Sequence, residues 1–392
     1  MRGSPWIGVA LVLLILFIRK PDAFLNPQFW AEDGSIFFTQ QVLLGIRAHD
    51  EPYAGYFNEV PRLVASLAAL LPHLYAPALY NGAALLVLAG LVWKLYSPRL
   101  GLPCPLAFAL AVALVPHVGG EVFVSLANVQ WILALLLLAV ALQRSPETPA
   151  QAAGDAVLVL LTGLTGPFIF FALPLLAWKA WRHRSRLDLP VLIVAAGAAA
   201  VQVWALSHSS IEAPPPTPAE PGTWSRILGQ RLIGSAFLGI EIAYALHPGF
   251  LIAAGLLLLA GILWTLRRSP EHLERAGLSL LFAAAILAGM CVKFSAAPGL
   301  LIPPGAGARY FFIPYVVLAW CLLLTFAASR GAPRALAATA LLAMLAASLT
   351  SGFRSPALED LRWADHAGRI GGPEAEVWIP INPQGWMIHI PQ

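Results

Sequence analysis

The sequence predicts an all-α polytopic membrane protein, and three observations carry that prediction. Of 392 residues, 59% are hydrophobic and only 11% charged, with a mean hydropathy of +0.74, whereas a water-soluble domain carries about 25% charged residues. Too few polar side chains are present to cover a globular surface, which excludes a soluble enzyme, and too much apolar surface is present for disorder. Eleven predominantly apolar runs succeed one another, and a bilayer-crossing helix needs roughly 17–25 such residues. The basic residues behind a sequence pI of 9.1 sit in short clusters between these runs, the charge pattern of a membrane protein rather than of a nucleic-acid binder.

In chain order the runs are 5–18, 75–95, 103–118, 127–143, 153–166, 167–181, 188–206, 248–266, 275–293, 309–328 and 333–350. The first is short, but no small-x-small cleavage site precedes Arg19-Lys20-Pro21-Asp22, so it reads as an anchor rather than a removable signal. With the N-terminus in the cytoplasm, the inner loops hold thirteen basic and five acidic residues, and the outer segments eleven basic and fifteen acidic. The positive-inside rule therefore gives an N-in, C-out orientation. Residues 1–350 form one transmembrane domain with two long outer loops, 19–74 and 207–247, and 351–392 form an extracytoplasmic tail. Long outer segments and short inner ones place the activity on the outer face of an integral, multi-pass protein, for which a bacterial inner or plasma membrane is the expected location.

Two outer stretches are apolar without being clear spans. Residues 60–71, with Arg62, and 225–246, with Arg226, Arg231 and Glu241, read as helices lying in the interface. The rival reading makes 230–247 a twelfth span, which buries Glu241 at about 2.5–3.5 kcal/mol. Between the outer elements, 212–223 carries five prolines in twelve residues and must be extended. In the tail, Asn382-Pro383-Gln384-Gly385 matches a type I turn between Val377-Trp378-Ile379 and Trp386-Met387-Ile388, predicting a small hairpin on the outer face. Trp378 and Trp386 suit either sugar stacking or packing on the membrane domain. Cys104, Cys291 and Cys321 lie apart in apolar segments and read as small buried hydrophobes without a disulfide framework.

The sharpest chemical feature is Phe29-Trp30-Ala31-Glu32-Asp33-Gly34, just after the first run. Neighbouring residues do not share a helix face, so at most one of the two carboxylates can point into a common cleft. Asp33 also suits the cap of a helix starting at Gly34 or Ser35, with Glu32 near its positive end. Gly305-Ala306-Gly307-Ala308-Arg309-Tyr310 places a glycine-rich turn and a guanidinium at the outer start of the tenth run, a combination suited to an anion. An arginine reaching for headgroups beside an aromatic-belt tyrosine explains the same residues. Arg62, Lys293 and Arg231 are further basic candidates for a phosphate. Asn128, Gln130 and Trp131 open the fourth run and suit sugar hydroxyls or an interface anchor. Thr162-Gly163-Leu164-Thr165-Gly166-Pro167 is a non-helical turn that is either ordinary or a close backbone approach to a ligand. His117 and Glu121 share the loop before the fourth run, but no His/Asp/Glu cluster has zinc-ligand spacing. There is no G-K-[ST] phosphate loop and no D-x-D triplet.

The W-A-E-D-G run, Asn128-Val129-Gln130-Trp131, Leu164-Thr165-Gly166-Pro167 and Ala308-Arg309-Tyr310-Phe311-Phe312, set in many spans with a long first outer loop, resemble the GT-C superfamily of membrane glycosyltransferases. The resemblance implies transfer of a sugar from a polyprenyl-phosphate donor to an envelope glycan, lipid or protein acceptor on the outer face. It implies Asp33 as catalytic base with Glu32 second, and membrane lipids as surroundings. Arg309, Tyr310, Arg62, Asn128, Gln130, Trp131 and Lys293 are the substrate-binding candidates. No metal ligand set and no organic cofactor is expected, a divalent cation being left open, and no nucleic acid is expected as partner. A lipid-linked glycan transporter or flippase, or a polysaccharide polymerase or ligase, is the alternative. Against a carrier, the spans hold almost no midplane charge and the two halves show no repeat.

Overall fold

The computed structural model describes residues 3–116, 121–209, 220–303 and 307–391. Arg2, His117, the proline-rich 212–219 and Gly305-Ala306 of the glycine-rich turn lie outside the described residues. Among the described residues twelve helices have ten or more residues: α1 Pro5–Arg19, α2 Glu59–Ala68, α3 Ala76–Leu95, α4 Pro105–Leu114, α5 Gln130–Leu142, α6 Pro149–Gly163, α7 Ile169–His183, α8 Asp188–His208, α9 Pro248–Leu266, α10 Pro270–Lys293, α11 Phe312–Ala328 and α12 Ala332–Thr350. Every apolar run forms a helix, and among the described residues six helical stretches are long and apolar enough to cross a membrane: 73–95, 188–208, 248–266, 270–293, 308–328 and 332–350. The remaining apolar helices are shorter for local reasons. In α4, Pro105 occupies the first turn and Val115, extended before Pro116, ends the helix after ten residues.

Burial sorts the helices by depth. In α5, eleven of thirteen residues are buried, and most of 308–328 is buried as well, as expected of helices apolar on every side at the centre of a bundle. The outer helices keep large apolar side chains exposed, among them Trp6 and Leu14 on α1, Ile193 on α8, Leu257 on α9 and Leu342 on α12. Cys321 is buried, but Cys104 is exposed, because it precedes α4 in the connection from α3 rather than lying within a helix.

Two interfacial predictions fare differently. Helix α2 forms as one amphipathic helix. The 225–246 stretch does not: it runs as a short turn, a π-helical segment Arg226–Gly234 and a helix Ser235–Leu238, then restarts at Ile240 after Gly239, whose φ is +77°. That break rules out a twelfth continuous span, and Glu241 is exposed.

The tail returns to the first long loop. Beyond α12 the Ser355 N–H donates to the Arg19 carbonyl, the Leu358 N–H to Asp22, and the Trp363 indole to the His73 carbonyl. Strands β1 Glu376–Ile381 and β2 Trp386–Pro391 then form the expected antiparallel hairpin. The connection closes one residue later than the type I turn read from the sequence: the Trp386 N–H donates to the Pro383 carbonyl at 3.1 Å, and Gly385 takes φ +93°. The alternate side chains Val377, Ile379, Ile381, Ile388 and Ile390 are buried on one hairpin face, which rests on the 33–38 turn. Trp378 stays half exposed, stacked on His389.

Opposite the hairpin, a buried polar cluster ties four helix ends together. Asp155 of α6 pairs with Lys94 of α3 at 3.1 Å and with Arg99 at 2.7 Å, and accepts from Gln143 at 2.8 Å. Lys179 of α7 donates to the Val140 carbonyl at 3.0 Å and faces Asp188 of α8 at 3.6 Å, while Ser145 donates to Asp188.

Candidate active site

A cleft of about 330 Å³ opens at the hairpin end of the bundle, within the size range of small-molecule sites. Its walls come from element ends that alternation brings to one side: the segment after α1, the start of α5, the start of α7, the end of α10 and the turn before α11. Three charged side chains line it, Glu32, Lys293 and Arg309, with the uncharged polar groups Tyr53, Tyr56, Asn58, Asn128, Gln130 and Tyr310. A carboxylate from the first loop therefore faces two cations supplied by the distant α10–α11 region.

The acidic pair is split by an unusual backbone. Ala31 adopts φ +40° and donates its N–H to the Asn382 carbonyl of the hairpin connection. Residues Asp33–Phe38 then form a π-helical turn, a geometry common at functional sites. Gly34 sits under the hairpin: a Cβ there would lie 2.7 Å from Ile381 Cδ1 and 3.1 Å from Ile388 Cδ1. A side chain at position 34 would have to displace the tips of these two isoleucines, so glycine lets the hairpin seat closely on this turn. The result is opposite directions for adjacent carboxylates. Glu32 lines the cleft, where the Tyr53 hydroxyl donates to it at 3.4 Å.

Asp33 turns inward, 1% exposed, and accepts the Ala127 N–H at 2.6 Å. It neither lines the cleft nor caps its own helix, because its oxygen is taken by the loop before α5. Burial pushes its carboxyl up to about 7, the backbone amides of Ala127 and Leu126 and the Lys20 charge oppose that rise, and Glu32 adds to it. Burial lowers the Lys20 ammonium in turn, against the attraction of Asp22, Asp33 and Glu121. Because folding raises the Asp33 value above 3.8, its contribution to stability is full below that pH and is lost as pH climbs through about 7. Asp33→Asn removes this titration. The thermal midpoint of the variant relative to the native chain is thus expected to rise between pH 5 and pH 8. A pH-independent difference in midpoints contradicts the buried titration.

The cationic side is equally specific. The Arg309 guanidinium meets Glu121 at 3.2 Å and lies 5.9 Å from the Tyr310 ring centroid. Lys293 ends α10, and its ammonium lies 5.7 Å from the Tyr310 ring centroid. Among the described residues Lys293 has no carboxylate partner. Trp131 packs on Tyr310 and Phe168, with centroids at 5.1 and 4.9 Å, and its indole N–H has no partner among the described residues. Asn128 donates to Ser125 at 3.3 Å.

Two basic candidates from the sequence are elsewhere. Arg62 is 1% exposed behind Phe37, donating to Gln40 and to the Glu51 carbonyl, and does not line the cleft. Arg231 is buried over Phe311 in the π-helical segment before Gly239. The Thr162–Pro167 turn serves mainly as a joint: its Gly166 N–H donates to the Phe57 carbonyl, Thr165 accepts from Val60, and buried Gln202 bridges Phe57, Gly163 and Gly166. Only Pro167 of that turn reaches the cleft.

The sequence reading missed Tyr53, Tyr56 and Asn58. Tyr53 and Tyr56 exchange backbone hydrogen bonds across Ala54 and Gly55, both with positive φ, a tight reversal of the kind Y-A-G-Y signals. Burial raises both phenols, with the Glu32 charge adding to the rise at Tyr53. Glu121, the partner of Arg309, was weighed only as a metal ligand. Among the described residues no three His, Cys, Asp or Glu side chains gather where they could hold a metal ion.

Fold and site together define a helical protein with six candidate membrane-spanning helices among the described residues and an amphipathic, charge-complementary cleft at one end. No family model, no curated protein and no solved structure matches the chain.

Proposed function

We propose that the chain is an integral-membrane glycosyltransferase of the GT-C type, moving a sugar from a polyprenyl-phosphate donor to a hydroxyl of an envelope glycan, lipid or protein acceptor. In this reading all eleven apolar helices cross or line the bilayer with the N-terminus inside, and the cleft opens on the extracytoplasmic face of a bacterial inner or plasma membrane. The observation that carries the proposal is the facing of Glu32 against Lys293 and Arg309 across one cleft.

The chemistry needs two things at once. The acceptor oxygen attacks the anomeric carbon, the bond from that carbon to the donor phosphate oxygen breaks, and the acceptor proton passes to a base. The leaving phosphate needs positive charge rather than a proton, and preorganised cations in a partly dry site supply it. Glu32 takes the role of base, because it faces the cleft, and Asp33 becomes the residue that fixes the loop before α5. Lys293 and Arg309 hold the phosphate, with the ligand replacing Glu121 as the partner of Arg309. Asn128, Gln130 and the tyrosines line the cleft with donors and acceptors suited to sugar hydroxyls, and Trp131 shapes the wall.

Reconstitution with polyprenyl-phosphate sugars tests the reading. Lys293→Ala and Arg309→Ala are each expected to raise the donor KM roughly ten- to hundredfold, since one hydrogen bond to a charged group contributes about 1.5–3 kcal/mol, while unfolding midpoints hold. Unchanged donor kinetics in both variants rejects the phosphate role. Movement of lipid-linked sugar across proteoliposomes without transfer favours a carrier instead.

A further inference from the structure

Beside the buried polar cluster opposite the hairpin lies a second cavity, of about 70 Å³, between the end of α5, the last turns of α7 and the first turns of α10. A single water needs about 10–15 Å³, so this space admits a group of several atoms. Its wall holds acceptors that nothing fills. Gln143, 1% exposed, turns its amide nitrogen to Asp155, which fixes the amide and leaves Oε1 without a donor among the described residues. Glu274 of α10 is half-buried and accepts from the Trp178 indole at 3.2 Å, with no basic side chain at ion-pair distance among the described residues. The buried cations of the same wall are already matched. Lys179 faces Asp188 and donates to the Val140 carbonyl, and Arg275 pairs with Glu271 at 2.7 Å and donates to the Gly101 carbonyl. An empty buried acceptor is costly, and here it lies in the same pocket as a carboxylate short of a cation. Both needs are met by a ligand group that carries positive charge on N–H donors. At the mouth the exposed Arg144 has only an exposed partner, Glu271 at 3.7 Å, a pairing too weak to withhold the guanidinium from an anion. Trp178 and Trp181 stand exposed beside it, their rings 4.9 Å apart, as aromatic residues do at the headgroup level of a bilayer.

We infer that this pocket binds the headgroup of phosphatidylethanolamine, the ammonium donating to Gln143 Oε1 and Glu274 and the phosphate held by Arg144. The amine is primary, because a trimethylammonium group has no N–H to give Gln143. The molecule is a lipid rather than free phosphoethanolamine, because the two tryptophans set the mouth at the bilayer interface. One bound lipid then ties together the ends of α5, α7 and α10. The inference rests on the chain crossing a membrane and is independent of sugar transfer.

The test uses the delipidated full chain in detergent, offered phosphatidylethanolamine, phosphatidylcholine or phosphatidylglycerol at equal molar ratio and read by native mass spectrometry and thermal unfolding. One phosphatidylethanolamine is expected to be retained in preference to the other two lipids and to raise the unfolding midpoint saturably. Glu274→Gln keeps the side-chain shape and the indole hydrogen bond, and Arg144→Gln lies on the surface. Each is expected to weaken this retention roughly tenfold, the effect of losing one hydrogen bond to a charged group, and to leave the lipid-free midpoint unchanged. Equal retention of the three lipids, preference for phosphatidylglycerol, or native retention in both variants overturns the inference. Displacement of the lipid by dissolved O-phosphoethanolamine at comparable concentration also overturns it, assigning the pocket to a soluble ligand. A chain that stays monodisperse without detergent refutes the membrane reading itself, whereas a detergent-dependent chain without headgroup preference refutes the pocket alone.

Discussion

Glu32→Gln is expected to lower the turnover of sugar transfer by about 10²–10⁴-fold, the usual contribution of a positioned general base, with donor KM and thermal midpoint near those of the native chain. The substitution keeps the shape and the Tyr53 hydrogen bond of a side chain that lines the cleft and removes its negative charge together with the capacity to accept a proton. Asp33→Asn is the matched control. Asp33 is buried and bonded to the Ala127 amide, so its variant should alter stability and its pH dependence more than turnover. Steady-state rates at saturating donor, beside binding of the isoprenyl phosphate head, distinguish the outcomes. If Glu32→Gln stays within threefold of the native rate while Asp33→Asn loses turnover, the base lies on the inward carboxylate and the proposed division of labour is wrong.

The second large effect concerns the opposite end of the bundle. Asp155→Ala should destabilise the fold by about 3–5 kcal/mol, because removing one member of a buried ionic cluster leaves the others desolvated and uncompensated. Asp155 is 4% exposed between Lys94 and Arg99, whose side chains are 17% and 11% exposed. Its loss strands two cations and the Gln143 amide where α3, α5 and α6 meet. Thermal or denaturant unfolding in detergent reads the effect, and Asp155→Asn, which still accepts one hydrogen bond, should lie between. An Asp155→Ala midpoint equal to that of the native chain shows that water reaches this cluster freely.

The two variants bracket what was legible beforehand. Periodicity and composition are local properties, so the helical class, every apolar helix and the tail hairpin could be read directly from the residues. The boundary errors have local causes as well. Pro116 stops α4 and Gly239 interrupts the second interfacial stretch, and each acts through its own backbone. The pairing of an early acidic segment with Lys293 and Arg309 was also within reach, because alternating helices return the α1 end, the α10 end and the α11 start to one side.

Side-chain direction in the irregular segments was not readable. Glu32 and Asp33 differ in role only because Ala31 takes a positive φ and the next turn is π-helical, under a hairpin that begins more than three hundred residues later. Arg62 and Arg231 looked equivalent to Lys293 as basic residues near an interface, yet packing buried both beside aromatic rings away from the cleft. Tyr53, Tyr56 and Gly289 likewise share a cleft wall only because separate segments meet there. The sequence by itself determined which stretches leave water and where the charges stand along the chain, since burial of an apolar helix follows from its own side chains. Only the tertiary structure decided which carboxylate and which cations share a cleft, since that depends on contacts between segments that no local pattern encodes.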